Sequence, residues 1–178
     1  MSNTKVVTNP VEVSYPHLTE PFASVEGAKA KYSVTILIDK SNKALLDKID
    51  KAIDNAIQDA ITKKFNGKAP NKNNLRLPLK DGDDRDAKEF KGKYYINCTS
   101  AEAPQIVDIN LNPILEKNAI VGGDLCRVSI NFGCYNVGGS KGVSAYLGNV
   151  QLVSKTDKPF GSRATAETDF ASNDEGLL

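Results

Sequence analysis

Residues 124–153, DLCRVSINFGCYNVGGSKGVSAYLGNVQLV, contain the clearest strand pattern of the sequence, and this stretch decides the fold. Apolar and polar side chains alternate over its first half, the apolar set being Cys126, Val128, Ile130, Phe132 and Cys134. A period of two predicts a strand with one buried face, and the glycines of VGGSKG predict a hairpin turn after it. The returning strand changes face near Gly148, which predicts a β-bulge at that position.

Shorter alternating segments predict the other strands of a sheet. One strand runs up to Tyr15 and places Val11 and Tyr15 on the same side, and the proline-containing segment after it predicts a connection. Further strands are predicted at 29–38 and 93–99, with a short one at 104–110.

One long amphipathic helix is predicted between the strands at 29–38 and 93–99. Ser41 is its candidate N-cap, apolar residues recur at spacings of three and four, and Gly67 is a candidate stop signal. The chain is therefore expected to be mainly β with one long helix: an OB-like five-stranded barrel with a capping helix and a long basic loop. An α+β sandwich is the alternative.

Charge is divided unevenly along the chain. Residues 164–178 contain four acidic and no basic side chains, whereas residues 1–163 contain 23 basic and 18 acidic ones. We therefore expect residues 1–163 to form one domain with a net charge of +5, and residues 164–178 to form a disordered acidic tail.

Composition limits the chemistry that the protein can perform. The 178 residues include one histidine, His17, and three cysteines, which argues against a histidine-rich metal site and a disulfide scaffold. His17 is expected to lie in a turn, and Cys126 and Cys134 to be small buried side chains. No secretion signal or apolar run of membrane-spanning length is present, so a soluble intracellular protein is expected. No catalytic residue, metal or cofactor is assigned.

Residues 66–92 are predicted to form a long loop whose charges are segregated. Six basic residues fall between 63 and 80 without an acidic one, which indicates a mobile basic arm. Four aspartates then follow, namely Asp81, Asp83, Asp84 and Asp86. Clustered carboxylates can bind magnesium in a nuclease, but a solvated turn is the simpler interpretation.

The outward faces of the predicted strands combine basic and aromatic side chains. Proteins that bind single-stranded nucleic acid without reading its sequence use a positive groove for the phosphates and aromatic rings for the bases. Together with the basic arm, these faces supply the candidate binding residues Lys31, Lys68, Lys72, Arg76, Lys93, Tyr95, Arg127, Tyr135, Lys141 and Tyr146.

Four segments resemble, in their sequence and order, the phage-type single-stranded DNA-binding proteins of tailed bacteriophages. They are SYPHLTEPFASVEGAKAKYSVTILIDKSN at 14–42, LPLKDGDD at 77–84, KGKYYINCTS at 91–100 and RVSINFGCYNVGGSKGVSAYLGNVQLV at 127–153. The ending with Arg163, Glu167, Asp169 and Phe170 is similar too. The resemblance implies an OB-type barrel without catalytic residues that coats single-stranded DNA in phage replication and recombination, in the cytoplasm of the host cell.

Two other functions are left open by the sequence. One is a magnesium-dependent nuclease that uses the four aspartates, and the other is a phage adaptor or structural protein that binds other proteins. Replication or recombination proteins are expected to bind through residues 164–178, and formation of a homodimer is left open.

Overall fold

The computed structural model describes residues 3–23, 25–161 and 170. Within these ranges the chain forms eight β-strands and one α-helix. In chain order they are β1 (Lys5–Val7), β2 (Val11–Phe22), β3 (Lys31–Asp39), α1 (Lys43–Lys64), β4 (Lys80–Asp81), β5 (Lys93–Ser100), β6 (Ile106–Val107), β7 (Leu125–Val137) and β8 (Ser140–Ser154).

Five of the strands close into a barrel. Strand β2 pairs with β3, β3 with β5, β5 with β8, β8 with β7, and β7 returns to β2. The β5–β8 pairing is parallel and joins Thr99 to Tyr146, whereas the other four are antiparallel. This closed five-stranded arrangement confirms the expected OB-like barrel. Strand β1 extends the sheet beside β7, and β6 extends it beside β8.

The β7–β8 hairpin has the alternation and the bulge that the sequence predicts. Its core-facing side chains are buried, namely Cys126, Val128, Ile130, Phe132, Val143, Ala145, Leu147 and Val150. Two residues of β8, Gly148 and Asn149, lie opposite the single residue Ser129 of β7. The Asn149 N–H donates a hydrogen bond to Ser129 Oγ at 2.7 Å, which stabilises the bulge.

Helix α1 caps the barrel, as expected. Its N-cap is Asn42 rather than Ser41, because the Asn42 side chain accepts a hydrogen bond from the Leu45 N–H and the Asn42 N–H is itself held by the Asp39 carbonyl. The buried side of the helix packs mainly on β7 and also contacts β1 and β8. That side consists of Leu45, Ile49, Ala52, Ile53, Ala56, Ile57 and Ala60.

Strand β2 is longer than the sequence predicts. It continues through the proline-containing segment to Phe22, because two register shifts against β3 accommodate residues that would otherwise break the pairing. The first shift lies between Ser14 and His17, where Tyr15 has a φ of 48° and is exposed. Tyr15 therefore does not share the buried face of Val11, and His17 lies in a strand rather than in a turn.

Residues 75–80, which we name the basic strip, are fixed on the barrel and do not form a free arm. Its leucines, Leu75, Leu77 and Leu79, contact the barrel core, while Arg76 and Lys80 are exposed. This alternation has the period of an extended strand, and the burial of Leu75 together with the partial burial of Leu77 and Leu79 holds the segment in place.

The basic strip joins two strands of the barrel. At one end the Arg76 N–H donates to the Lys141 carbonyl at 3.0 Å, and the Arg76 carbonyl accepts from the Val143 N–H at 2.9 Å. At the other end Lys80 pairs with Tyr95 of β5. The strip therefore crosses from β8 to β5 and forms part of the barrel wall.

The expected acidic tail, residues 164–178, lies outside the described residues apart from Phe170, so the division at residue 163 stays a prediction. Among the described residues, no helix combines the length with the hydropathy that is needed to cross a bilayer.

Candidate nucleic-acid interface

A groove of about 280 Å³ runs between the basic strip and the outer faces of β5, β7 and β8. Two cationic side chains, Arg76 and Lys80, line it on the side of the strip. The rest of the lining is uncharged: polar or aromatic side chains come from Asn97 and Thr99 of β5, Tyr135 of β7 and Ser144 of β8, and apolar ones from Leu77, Pro78, Val143 and Ala145. Its lining contains no carboxylate among the described residues, so the groove is positively charged.

Two tyrosines lie on glycines of the neighbouring strand, namely Tyr135 in the lining of this groove and Tyr146 outside it. A β-carbon placed on Gly142 would lie 2.6 Å from the Tyr135 hydroxyl, and one on Gly133 would lie 3.0 Å from a Tyr146 ring carbon. Larger residues at either glycine would displace the rings. Both rings are thus held against the backbone on the outer face of β7 and β8, and Tyr146 remains 45% exposed.

The groove lies on a longer row of outward side chains, in which each residue is paired with the next one on the neighbouring strand. Tyr146 of β8 lies opposite Thr99 of β5, Thr99 lies opposite Ser33 of β3, and Ser33 lies opposite His17 of β2. Small hydroxyl side chains therefore occupy the middle of the row and rings occupy both ends. A single strand of nucleic acid can lie flat on such a surface with bases stacked at the ends.

The ring at the β2 end is a stacked pair that sequence reasoning missed. His17 and Phe22 lie parallel, with ring centroids 4.4 Å apart and an interplanar angle of 8°. Phe22 is exposed and lies opposite the predicted binding residue Lys31. The sequence gives no simple signal for this pair, since the β2 bulges break the alternation that would place both rings on one face.

Lys80 was also missed, although its signal is present in the sequence. The segment LRLPLK at 75–80 alternates leucine with polar residues or proline, which is the pattern of a strand with one buried face. As part of a predicted loop the segment has no assigned faces, whereas alternation in an extended segment places Arg76 and Lys80 on the same side.

Two predicted site residues are not available on the open surface. Tyr95 does point outward from the barrel, but it is only 8% exposed because the ring of Phe90 meets it edge-on at 5.1 Å and the Arg85 guanidinium lies over it at 5.3 Å. The Lys93 side chain is 18% exposed and is paired with Glu12. The expected exposure of Tyr95 is therefore wrong, since residues 82–91 cover it.

The other predicted residues are distributed around the groove and beyond it. Lys141 is exposed and adjoins the groove through its backbone contact with Arg76. Lys68 is exposed beyond the end of α1, and Lys72 is paired with Asp54 of α1 at 2.8 Å. Arg127 is exposed on β7, and its Nε donates to the Thr8 carbonyl at 3.1 Å. The structure thus brings together Arg76, Tyr135, Lys141 and Tyr146, with Lys31 at the far end of the row.

Two members of the aspartate string are held by one lysine. The Lys40 ammonium lies 2.8 Å from an Asp81 oxygen and 2.6 Å from an Asp83 oxygen, an arrangement that we name the Lys40 clamp. The Lys40 hydrogen bond keeps the pKa of Asp81 below its usual range. The pKa of Asp83 is lowered first by the Gly92 N–H and then by Lys40, and the two carboxylates raise the pKa of Lys40. No group of three or more His, Cys, Asp or Glu side chains within the described ranges is arranged to hold a metal ion.

A family model described as "Enterobacter phage Enc34, ssDNA-binding protein" matches residues 4–177 of this chain. Protein p50 of Acyrthosiphon pisum secondary endosymbiont phage 1 is 30% identical over 173 residues, which cover 93% of this chain and 92% of that protein.

Two phage proteins are among the solved structures of similar fold. The single-stranded DNA-binding protein of bacteriophage Enc34 in complex with ssDNA is 25% identical, with a TM-score of 0.76, over 89% of this chain and 90% of that one. The gp2.5 single-stranded DNA-binding protein of bacteriophage T7 is 17% identical, with a TM-score of 0.62, over 98% of this chain and 97% of that one. The second likeness concerns the fold alone.

Proposed function

The chain belongs to the single-stranded DNA-binding protein family of Enterobacter phage Enc34, and from this membership we propose that it binds single-stranded DNA without sequence preference in phage replication and recombination. The observation that supports this function best is the positively charged groove beside the basic strip, which Tyr135 lines and next to which Tyr146 lies opposite Thr99. Phosphates bind Arg76, Lys80 and Lys141, while bases stack on Tyr135 and Tyr146.

Tolerance of base sequence follows from the polar groups in the groove. Reading a base edge requires a pair of well-placed donors and acceptors, as an unengaged Asn or Gln can offer, and Arg76, the arginine that lines the groove, is assigned to the phosphates in this proposal. The Asn97 side chain is partly engaged, because its Oδ1 accepts a hydrogen bond from Thr35 Oγ1 at 2.7 Å. Thr99 and Ser144 offer one hydroxyl each and so favour no particular base.

The protein acts, in this proposal, by binding alone and not by catalysis. Two of the four aspartates that a magnesium-dependent nuclease would use are engaged, because the Lys40 ammonium is paired with both Asp81 and Asp83. Burial raises the pKa of Cys98 and of Cys126 to about 12, so these thiols are poor nucleophiles at neutral pH. The site of action is the cytoplasm of the host cell, and residues 164–178 recruit replication or recombination proteins.

Titration of fluorescent poly-dT at a series of salt concentrations tests the function. If about four to six phosphates are neutralised, log affinity should fall against log salt with a slope of roughly −3 to −4, at ~0.7 per phosphate on single strands. A slope near zero would contradict the proposal. Failure to bind at low salt would favour an adaptor protein, and cleavage of the DNA on addition of Mg²⁺ would favour the nuclease.

A further inference from the structure

A second basic groove lies between strand β1 and helix α1. It has a volume of about 550 Å³, and its polar lining consists of Lys5 of β1, Lys48, Lys51 and Asn55 of α1, and Asn3. The Asn55 side-chain amide donates to the Asn3 carbonyl at 2.8 Å, which ties the helix to the N-terminal segment at the groove. We name this feature the lysine groove.

The three ammonium groups of the lysine groove are not neutralised by the part of the chain that the structure describes. Lys5, Lys48 and Lys51 form no ion pair there, and no carboxylate lines the groove. Lys48, Lys51 and Asn55 recur at spacings of three and four on α1, so they share one side of the helix. Asp54 follows Lys51 at a spacing of three, but its carboxylate is paired with Lys72 and not with Lys51. A groove with three free cations fits a polyanion.

The lysine groove is continuous with the row of outward side chains described above. Lys5 lies opposite Asn131 of β7, and Asn131 lies opposite Tyr146 of β8. All three residues are exposed. Since neighbouring strands are about 4.8 Å apart, the backbones of Lys5 and Tyr146 are separated by about 10 Å, less than two nucleotides of an extended strand span. No acidic residue stands between them on this row.

We propose that single-stranded DNA leaving the tyrosine-bearing groove passes over Asn131 into the lysine groove, where Lys5, Lys48 and Lys51 bind its phosphates. This inference rests on the proposed function and extends its site. Continuity with the first groove favours DNA over an acidic peptide as the occupant. The lysine groove contains no aromatic side chain, so it binds the backbone of the strand and adds affinity without base preference.

Oligonucleotide length provides the test. OB domains bind about 4 to 16 nucleotides, so dT of roughly 5 residues should fill the first groove only, whereas dT of roughly 16 residues should reach both. The variant Lys5→Gln/Lys48→Gln/Lys51→Gln should bind the short oligonucleotide as the wild type does. For the long one it should bind at least about tenfold more weakly, with a salt slope reduced by roughly 2, at ~0.7 for each lost phosphate contact.

A matched control separates local contact from net charge. Lys43→Gln/Lys88→Gln/Lys158→Gln also removes three positive charges, but from exposed lysines that line neither groove. It should keep the wild-type preference for the long oligonucleotide. Thermal unfolding of both variants checks that the fold is intact.

The outcomes of the length experiment distinguish the extension from the function on which it rests. Equal losses in the two triple variants, or a retained length preference in the lysine-groove variant, would overturn the extension alone. Tighter binding of long DNA by the lysine-groove variant would overturn it in favour of an acidic protein segment as the occupant. If the wild type binds neither oligonucleotide, the proposed function fails.

Discussion

Tyr146 combines exposure with a fixed position, because its ring lies on Gly133, and it belongs to the row of paired residues that links the two grooves. Replacing Tyr146 with alanine should weaken the binding of oligo-dT by ~1 to 3 kcal/mol, the contribution of one stacked base, without lowering thermal stability much. Fluorescence anisotropy measures the affinity. Tyr146→Phe keeps the ring and should bind almost as the wild type does, so equal losses in both variants would contradict stacking.

Tyr95 provides the matching control on the same barrel. Its ring is packed in a small cluster with Leu37 and Phe90, so Tyr95→Ala should lower the free energy of unfolding by about 3 kcal/mol. DNA affinity per folded molecule should change little. A large affinity loss with unchanged stability would show that the ring becomes accessible in the complex.

The three cysteines should differ in reactivity according to their burial. Burial raises the pKa of Cys98 and of Cys126 to about 12, so about one thiol in ten thousand is ionised at pH ~8, and the thiolate is the reactive form. The pKa of the half-buried Cys134 is raised as well. Titration of the native protein with a thiol-reactive disulfide reagent should therefore modify Cys134 slowly and first, and the other two only on unfolding.

Cys134→Ser is the control for this thiol titration, and it should abolish the reaction of the native protein. Rapid modification of two or more thiols in the native wild type would contradict the burial described here.

At the scale of elements, the basic strip should contribute to binding through its exposed cations. Arg76→Gln/Lys80→Gln should reduce the slope of log affinity against log salt by roughly 1.4, at ~0.7 per phosphate, and lower the affinity at low salt. Lys72→Gln is the matched control from the same connection, because Lys72 is already paired with Asp54. A larger slope change for Lys72→Gln than for the double variant would show that the strip does not line the DNA path.

The Lys40 clamp should make the segment after β4 sensitive to acid. Because Asp81 and Asp83 have lowered pKa values in the folded chain, their contacts stabilise the segment at pH values above the ordinary aspartate pKa of about 4. That stabilisation is lost as the pH falls through the lowered values. Hydrogen exchange at the Gly92 amide, which donates to Asp83 Oδ1 at 2.8 Å, reports the change.

After correction for intrinsic exchange rates, protection at Gly92 should fall as the pH is lowered below the ordinary aspartate pKa of about 4. In Lys40→Gln the protection should be lower at neutral pH. Equal protection in the wild type and in Lys40→Gln at neutral pH would mean that the Lys40 clamp does not hold this segment.

Elements with a regular hydrophobic period could be predicted from the sequence, and the others could not. The alternation of β7 and the spacing of Leu45, Ile49 and Ile53 in α1 are local patterns. They predict the hairpin and the capping helix, and together with the other predicted strands they indicate the barrel. Strand β1 has only three residues, too few for a recognisable period, and β2 changes face at Tyr15, so its alternation predicts a strand only up to that residue.

For the whole molecule, the candidate site was predictable only where strand faces decide exposure. Tyr135 and Tyr146 were found because each lies on the outward face of a regular strand. Tyr95 lies on such a face too, but its cover comes from residues 82–91, which have no periodicity and fold back through the Lys40 clamp. Whether an outward side chain is exposed thus depends on its contacts with other segments, and no local sequence pattern predicts those contacts.

The charge balance of the whole chain leads to a prediction about residues 164–178. The first 163 residues have a net charge of +5, and the last 15 contain Glu167, Asp169, Asp174 and Glu175 without a basic residue. Such a segment can occupy a basic groove as a weak substitute for phosphates, which DNA would then displace. Removal of residues 164–178 should therefore tighten DNA binding.

The effect of this truncation should be greatest at low salt, where the Debye length exceeds 10 Å and charges on the segment act on the grooves with little screening. A full-length variant with Glu167→Gln, Asp169→Asn, Asp174→Asn and Glu175→Gln separates charge from length, and it should bind poly-dT as tightly as the truncated protein does. If only the truncation tightens binding, the segment obstructs the groove by its bulk. If affinities of all three proteins agree at every salt concentration, self-inhibition is ruled out, and the acidic residues are left with recruitment of partner proteins.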